Sequence, residues 1–244
     1  MADPVNRRRA LPWRDYLWFA ALPLLAAGVL FAIVEYTGVD RAFSNLFFDP
    51  ATKKFPLRHD WFLEVIGHHW AKYVLVVISF ASLAAVLLSY GIAALRPHRR
   101  PLLFLFLVMM IGPMAVGHLK DVTNKHCPYD LDVYGGYAPH KKLFEPADPG
   151  VERGRCWPGG HASGGFALVA FYFIWRRSRP RLARAGLGAG LAYGLALGLG
   201  RTVQGAHFLS HNLWSAIIVW LVAWLLYELL LRRAQDRDGV RAGR

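Results

Sequence analysis

The chain has 244 residues, 55% of them hydrophobic and 18% charged, with nine Trp and a formal net charge of +13. Runs of uninterrupted apolar residues exclude a soluble domain before the averages do. No basic patch is interleaved with exposed aromatics, so the positive charge does not point to nucleic acid as a partner.

Six apolar spans follow in chain order: Tyr16–Tyr36, Tyr73–Leu95, Pro101–His118, Ala162–Trp175, Ala185–Gly200 and Leu213–Leu231. A helix needs about 20 mostly apolar residues to cross a bilayer. The expected fold class is therefore all-α, an integral membrane bundle of six transmembrane helices. The fourth and fifth spans are short and must borrow their flanking Gly-rich or polar turns. Arg7, Arg8, Arg9 and Arg14 precede the first span and resemble the front of a signal peptide. Its apolar run is too long for that, and no small-x-small cleavage site follows, so it reads as an uncleaved anchor. The expected layout is an N-terminal segment 1–15, a six-span membrane domain 16–231 and a basic tail 232–244.

With a cytoplasmic N-terminus, the inward segments hold 17 of the 29 Lys and Arg against five acids (Asp3, Asp15, Glu228, Asp236, Asp238). Basic residues crowd the short loops of one side, as the positive-inside rule requires. The expected location is a bacterial inner membrane with both termini cytoplasmic. The outward segment 38–71 carries Pro50, Pro56, Trp61 and Trp70 and reads as an interfacial loop with a short helix near Trp61–His69. The outward segment 127–158 is rich in Pro, Gly and Tyr and reads as a structured cap without regular secondary structure. Cys127 and Cys156 are the chain's two cysteines and both lie in this loop. On an oxidising face they are expected to form a disulfide; two reduced thiols are the alternative.

Three outward stretches carry the chemistry. The first, Lys120-Asp121-Val122-Thr123-Asn124-Lys125-His126-Cys127-Pro128, ends an apolar helix; alone, its lysines would simply snorkel to the interface. The second, Pro158-Gly159-Gly160-His161, opens the fourth span, where glycines let a backbone approach an anion closely. The third runs from Arg201 through His207 to His211, the two imidazoles one helical turn apart. Arg and His at a membrane edge cost free energy unless paired, so they are candidate functional groups. Together the stretches supply cations, backbone N–H groups and imidazoles, which is what phosphoryl transfer needs.

Their order and spacing resemble the membrane-bound type 2 phosphatidic acid phosphatase superfamily, with pattern KxxxxxxRP, then PSGH, then SRxxxxxHxxxD. Here the blocks read KDVTNKHCP, PGGH and GRTVQGAHFLSH. The resemblance implies a phosphorylated lipid substrate, no metal or other cofactor, and an active site facing the periplasm. It implies His207 as a nucleophile carrying a phosphohistidine and His161 as the general acid, then base. Lys120, Arg201 and the Gly159/Gly160 backbone would hold the phosphate oxygens.

Three departures stand out. The motif arginine is Cys127, with Lys125 or His126 as the nearest replacements. The motif serine is Gly159, with backbone N–H groups or Ser163 left to serve. The aspartate that would orient the nucleophile is His211, which supplies no negative charge. Asp130, Asp132 and Glu145 are loop acids available for that role. Besides hydrolysis, two readings compete: transfer of the phosphoryl group to another lipid, and a catalytically degenerate lipid-binding protein. A transporter would show repeats or broken midplane helices. His68, His69, His118 and His140 form no HExxH zinc arrangement and read as interfacial or loop residues.

Overall fold

The computed structural model describes residues 13–232 and 235. The N-terminal segment up to residue 12 and the basic tail beyond residue 232, Gln235 apart, lie outside the described residues. The fold is all-α: α1 (Trp13–Tyr36), a short α2 (Val39–Asn45), α3 (Phe62–Leu88), α4 (Ala93–Val122), α5 (160–175), α6 (Pro180–Val203) and α7 (Leu209–Leu230). Among the described residues, α1, α3, α4, α6 and α7 are long and apolar enough to cross a membrane. The chain is a multi-pass membrane protein.

The fourth expected span, α5, differs from the other five. It is Gly160–Phe166, one tight turn at Ala167–Val169, then Ala170–Trp175. At about 1.5 Å per residue it reaches roughly 24 Å, less than a ~30 Å hydrocarbon core. Its length matters less because it sits inside the bundle, packed against α4, α6 and α7. Ala162, Phe166, Ala170 and Phe173 are fully enclosed, with Phe104 and Val116 of α4 and Val219, Ala223 and Tyr227 of α7. α1 is the opposite case. Leu24, Leu25, Val29 and Ile33 are exposed along it, as a lipid-facing surface requires.

The α5–α6 seam is built on small residues at every fourth position of α6, Gly186, Gly190 and Gly194, while Gly198 one turn on faces Asn212 of α7. A Cβ at Gly194 would stand 2.3 Å from the Phe166 ring, and one at Gly190 2.7 Å from the Val169 backbone nitrogen. Close backbone approach through small residues is the usual way helices associate where no hydrophobic drive separates helix from lipid. Gly194→Ala should therefore force Phe166 aside and lower stability by about 1–3 kcal/mol. A thermal shift of the detergent-solubilised protein reads this; an unchanged transition would mean the seam tolerates expansion.

The second span begins earlier than its apolar run suggests. The helix expected as a separate interfacial element near Trp61–His69 is the first part of α3, a π-helical stretch Phe62–Trp70 running directly into Ala71–Leu88. Asp60 starts it, its Oδ1 accepting from Leu63 N at 2.9 Å. The span also stops at Leu88 rather than Leu95, where the Ser89 hydroxyl donates back to Val86 O at 2.5 Å and the chain turns. These bounds place Glu64 and His68 on a membrane helix.

The outward cap has its own small core: Phe55, Leu131, Tyr134 and Phe208, with Phe47, Phe48 and Tyr129 against it. Tyr134 Oη donates to Asn45 Oδ1 at 2.8 Å, tying segment 127–158 to α2. The cap contains only short turns, Pro128–Asp130 and Asp132–Tyr134. It is ordered by aromatic packing and hydrogen bonds, not by a helix.

Candidate active site

Antiparallel succession brings four helix ends to one side: the C-termini of α4 and α6 and the N-termini of α5 and α7. Hydrogen bonds then pin them together. Thr123 Oγ1 donates to Trp157 O at 2.8 Å, joining the end of α4 to the entry of α5. Gly159 N donates to His211 O at 2.8 Å, joining α5 to α7. The α6–α7 turn follows from sequence: Gly205 takes φ +70°, Ala206 N donates to Arg201 O at 2.9 Å and Gly205 N to Thr202 O at 2.9 Å. That pairing is a Schellman motif, and it satisfies the last carbonyls of α6. Asp40 Oδ1 accepts from Ser210 N at 3.1 Å and caps the first turn of α7. His207 is held between these two devices.

The side chains gathered at this rim come from all three sequence stretches and from one segment the sequence reading passed over. Lys120 Nζ lies 3.5 Å from where a Gly160 Cβ would stand, so the ammonium rests on the glycine turn. It makes no hydrogen bond or salt bridge among the described residues. His161 has its Nε2 buried without a hydrogen-bond partner, and its ring meets His68 edge to face at 3.7 Å between centroids. Arg201 is anchored through Nη1 alone, to Gln204 Oε1 at 2.8 Å, Glu64 Oε2 at 3.3 Å and His68 Nδ1 at 3.4 Å. Its Nε is buried with no partner. A guanidinium fixed at one tip, with another N–H unused, is a fork aimed at something absent from the protein itself.

His207 is 5% exposed, with Nδ1 3.2 Å from Cys156 Sγ. Burial holds its pKa well below the usual imidazole range, helped by His211 and by the charges of Lys120, Arg201 and His161. These groups therefore lie within electrostatic reach of His207. His207 keeps its lone pair free where an exposed imidazole would begin to protonate.

The remaining residues singled out in the sequence sit differently. Lys125 pairs with Glu35 at 3.7 Å and lines a separate cavity of about 420 Å³ with Asp40, Arg41 and His140. His126 bonds Glu152 O through Nε2 at 2.8 Å. Neither replaces the motif arginine at the rim. Ser163 donates to Gly160 O at 2.5 Å and is fully enclosed, so its hydroxyl is already used. The glycine at the motif-serine position has a steric account: a Cβ at Gly159 would come within 2.4 Å of Asn212 Oδ1. Asn212 is held in turn by Gly198 O at 3.1 Å and Thr202 Oγ1 at 3.0 Å. His211 lies 5.8 Å from His207 between ring centroids, and its ring lies by the Cys156 backbone. Of the loop acids, Asp132 accepts from Val133 N and Glu145 from Lys142 N. Asp130 lies by His126 and Arg58. Among the described residues, no carboxylate hydrogen-bonds His207.

Cys127 and Cys156 are joined as a disulfide, so neither offers a thiolate to a metal beside His207. Glu64, His68 and His69 present ligand atoms within 4.8 Å of one another. The Arg201 guanidinium already engages Glu64 and His68, and a fixed cation there opposes a second one.

Glu64, His68 and Gln204 are the residues that sequence reasoning missed. The available signal was an acid and an imidazole four positions apart at the edge of an apolar segment.

Comparison with known proteins places the chain in a family. The model of the PAP2 superfamily matches residues 101–235. A curated relative is the lipid A 4'-phosphatase of Francisella tularensis subsp. novicida (strain U112), 28% identical over 216 residues, which cover 82% of this chain and 90% of that protein. No solved structure matches the chain. The family match spans more than half the chain and contains all three motif blocks: the chain belongs to the PAP2 superfamily.

Proposed function

We propose that this lipid phosphatase hydrolyses a phosphomonoester of a lipid A-type glycolipid at the periplasmic face of the inner membrane, through a phosphohistidine at His207. That it is a phosphatase of phosphorylated lipids follows from its family and its relative. The substrate class rests on that relative, and the sidedness on the charge distribution of the loops. One observation carries the mechanism. Lys120, His161 and Arg201 lie within electrostatic reach of His207, and buried nitrogens of His161 and Arg201 have no hydrogen-bond partner among the described residues.

Phosphate oxygens bind Lys120 Nζ, the open N–H edge of Arg201 and the Gly160 backbone N–H, since the Gly159 N–H is committed to His211 O. His207 attacks phosphorus with a ring lone pair. The P–O bond to the lipid breaks, and the leaving oxygen takes a proton from His161, whose imidazolium the bound phosphate stabilises. Water then attacks the phosphohistidine while neutral His161 accepts its proton. The P–N bond breaks, the electron pair returns to His207, and inorganic phosphate leaves. Positioned cations stabilise the equatorial charge in both steps.

The test is phosphate release by purified protein in detergent against lipid A, phosphatidic acid, phosphatidylglycerol phosphate and undecaprenyl pyrophosphate. Lipid A is expected to give the highest kcat/KM. A phosphorylated acceptor lipid without inorganic phosphate would make the protein a transferase instead. The pH profile supplies a further check. His207 reacts neutral, and its lowered pKa keeps it neutral as pH falls below 6.5. The acid limb of kcat/KM should therefore lie below the ordinary imidazole value of about 6.5. An acid limb at or above it would contradict a buried, neutral nucleophile.

A further inference from the structure

Among the described residues, no carboxylate holds His207, the proposed nucleophile. The position that carries an aspartate in the family pattern is His211, whose ring lies by the Cys156 backbone. The polar contact of the His207 ring among the described residues is Nδ1 to Cys156 Sγ, at 3.2 Å. Cys156 is fully enclosed, and its partner in the disulfide, Cys127, stands where the pattern carries arginine. Two departures from the pattern thus meet at one sulfur beside the reactive ring.

We propose that Cys156 Sγ, fixed by the bridge to Cys127, is a positioning group for His207: it accepts the Nδ1 proton and leaves Nε2 as the lone pair presented to phosphorus. The inference rests on His207 being the nucleophile. A disulfide sulfur carries no proton, so in this pair the imidazole is the donor. The neutral ring has one N–H and one lone pair, on nitrogens pointing opposite ways. Fixing the proton on Nδ1 therefore decides which nitrogen attacks. By the same reasoning, the 2.9 Å approach of Sγ to Ala206 O is a contact and not a hydrogen bond.

The sulfur's surroundings suit a fixed acceptor. Cys156 N donates to Lys125 O at 2.8 Å and Gly154 N to Asn124 Oδ1 at 2.7 Å, so the strand carrying Cys156 is laced to the one leading into Cys127. The Schellman turn before His207 fixes the other side. Sulfur is a weaker acceptor than a carboxylate and adds no negative charge. It orients the ring without making it more basic.

Two substitutions separate positioning from simple stapling. Cys127→Ala and Cys156→Ala break the same covalent bond, but only the second removes the acceptor. With phosphate release as readout, Cys156→Ala is expected to lower kcat at least about tenfold more than Cys127→Ala, with KM similar in both. Cys156→Ser returns an acceptor oxygen and should recover part of the loss. Equal kcat for the two alanine variants would overturn the proposal and leave the bridge a staple. Should a variant fail to fold, nitrogen-15 NMR of the oxidised wild-type protein decides instead. A His207 ring protonated on Nδ1 supports the contact, and one protonated on Nε2 overturns it. Wild-type protein silent toward every lipid phosphate would count against the proposed function, while the tautomer would still report on this contact.

Discussion

His207→Ala is expected to abolish phosphate release, with a loss of about a thousandfold or more, because it removes the ring on which the proposed covalent intermediate forms. The companion His161→Asn should fail differently. With a lipid substrate, whose leaving alkoxide needs a proton, it should be nearly as slow as His207→Ala. With an aryl phosphate, whose leaving group needs little protonation, the first step survives and only attack by water is impaired. Phosphoenzyme should then accumulate in His161→Asn, as acid-labile and base-stable label from phosphorus-32 substrate, and never in His207→Ala. Label in both variants would move the nucleophile elsewhere; label in neither would remove the two-step route.

The contrast depends on how the two imidazoles are held. His207 is enclosed behind the disulfide and follows a turn whose carbonyls are satisfied. His161 stands in the first turn of α5, between Lys120 over its glycines and His68 against its ring. His207 is buried and His161 only half-buried, which suits the proposed proton carrier, a residue that must serve a lipid oxygen and then a water.

Much of this was legible in the residues themselves. Apolar length alone marks spans such as Leu213–Leu231, since a bilayer asks for uniform hydrophobicity and little more. The rim groups were legible because Lys120, His161, Arg201 and His207 lie at span ends, where polar side chains are costly and hence informative. What stayed hidden was long-range. α5 looked like a short fourth span, and only the glycine ladder of α6 shows why a 16-residue segment can fill the bundle's interior. Gly159 read as a lost hydroxyl. Asn212, 53 positions away, occupies the space a side chain there would need. Lys125 looked like a phosphate ligand because it neighbours Cys127, yet its ammonium turns to Glu35 at the end of α1. Spacing along the chain cannot reveal which neighbour a flexible lysine selects.

The Glu64–Arg201 pair offers the second large effect. Glu64 belongs to α3, outside the three motif blocks, and reaches across to Arg201 at 3.3 Å. With Gln204 and His68 it fixes one tip of the guanidinium, so that the unpartnered Nε points into the site. Arg201→Lys keeps the charge but cannot be anchored at one end and donate at the other. It should lower kcat by about a hundredfold to a thousandfold, as loss of an oxyanion donor does. Glu64→Gln leaves Arg201 charged but loosely held, and a loss of about tenfold is expected. The combination is the informative measurement. If Glu64 acts through Arg201, the double variant should match Arg201→Lys alone within about a factor of two, because the group being oriented is already gone. If the two losses multiply, Glu64 acts by another route, and its contact with His68, at 3.4 Å, becomes the one to examine. A proton relay from Glu64 through His68 to His161 would then show as a shifted basic limb of the pH profile in Glu64→Gln.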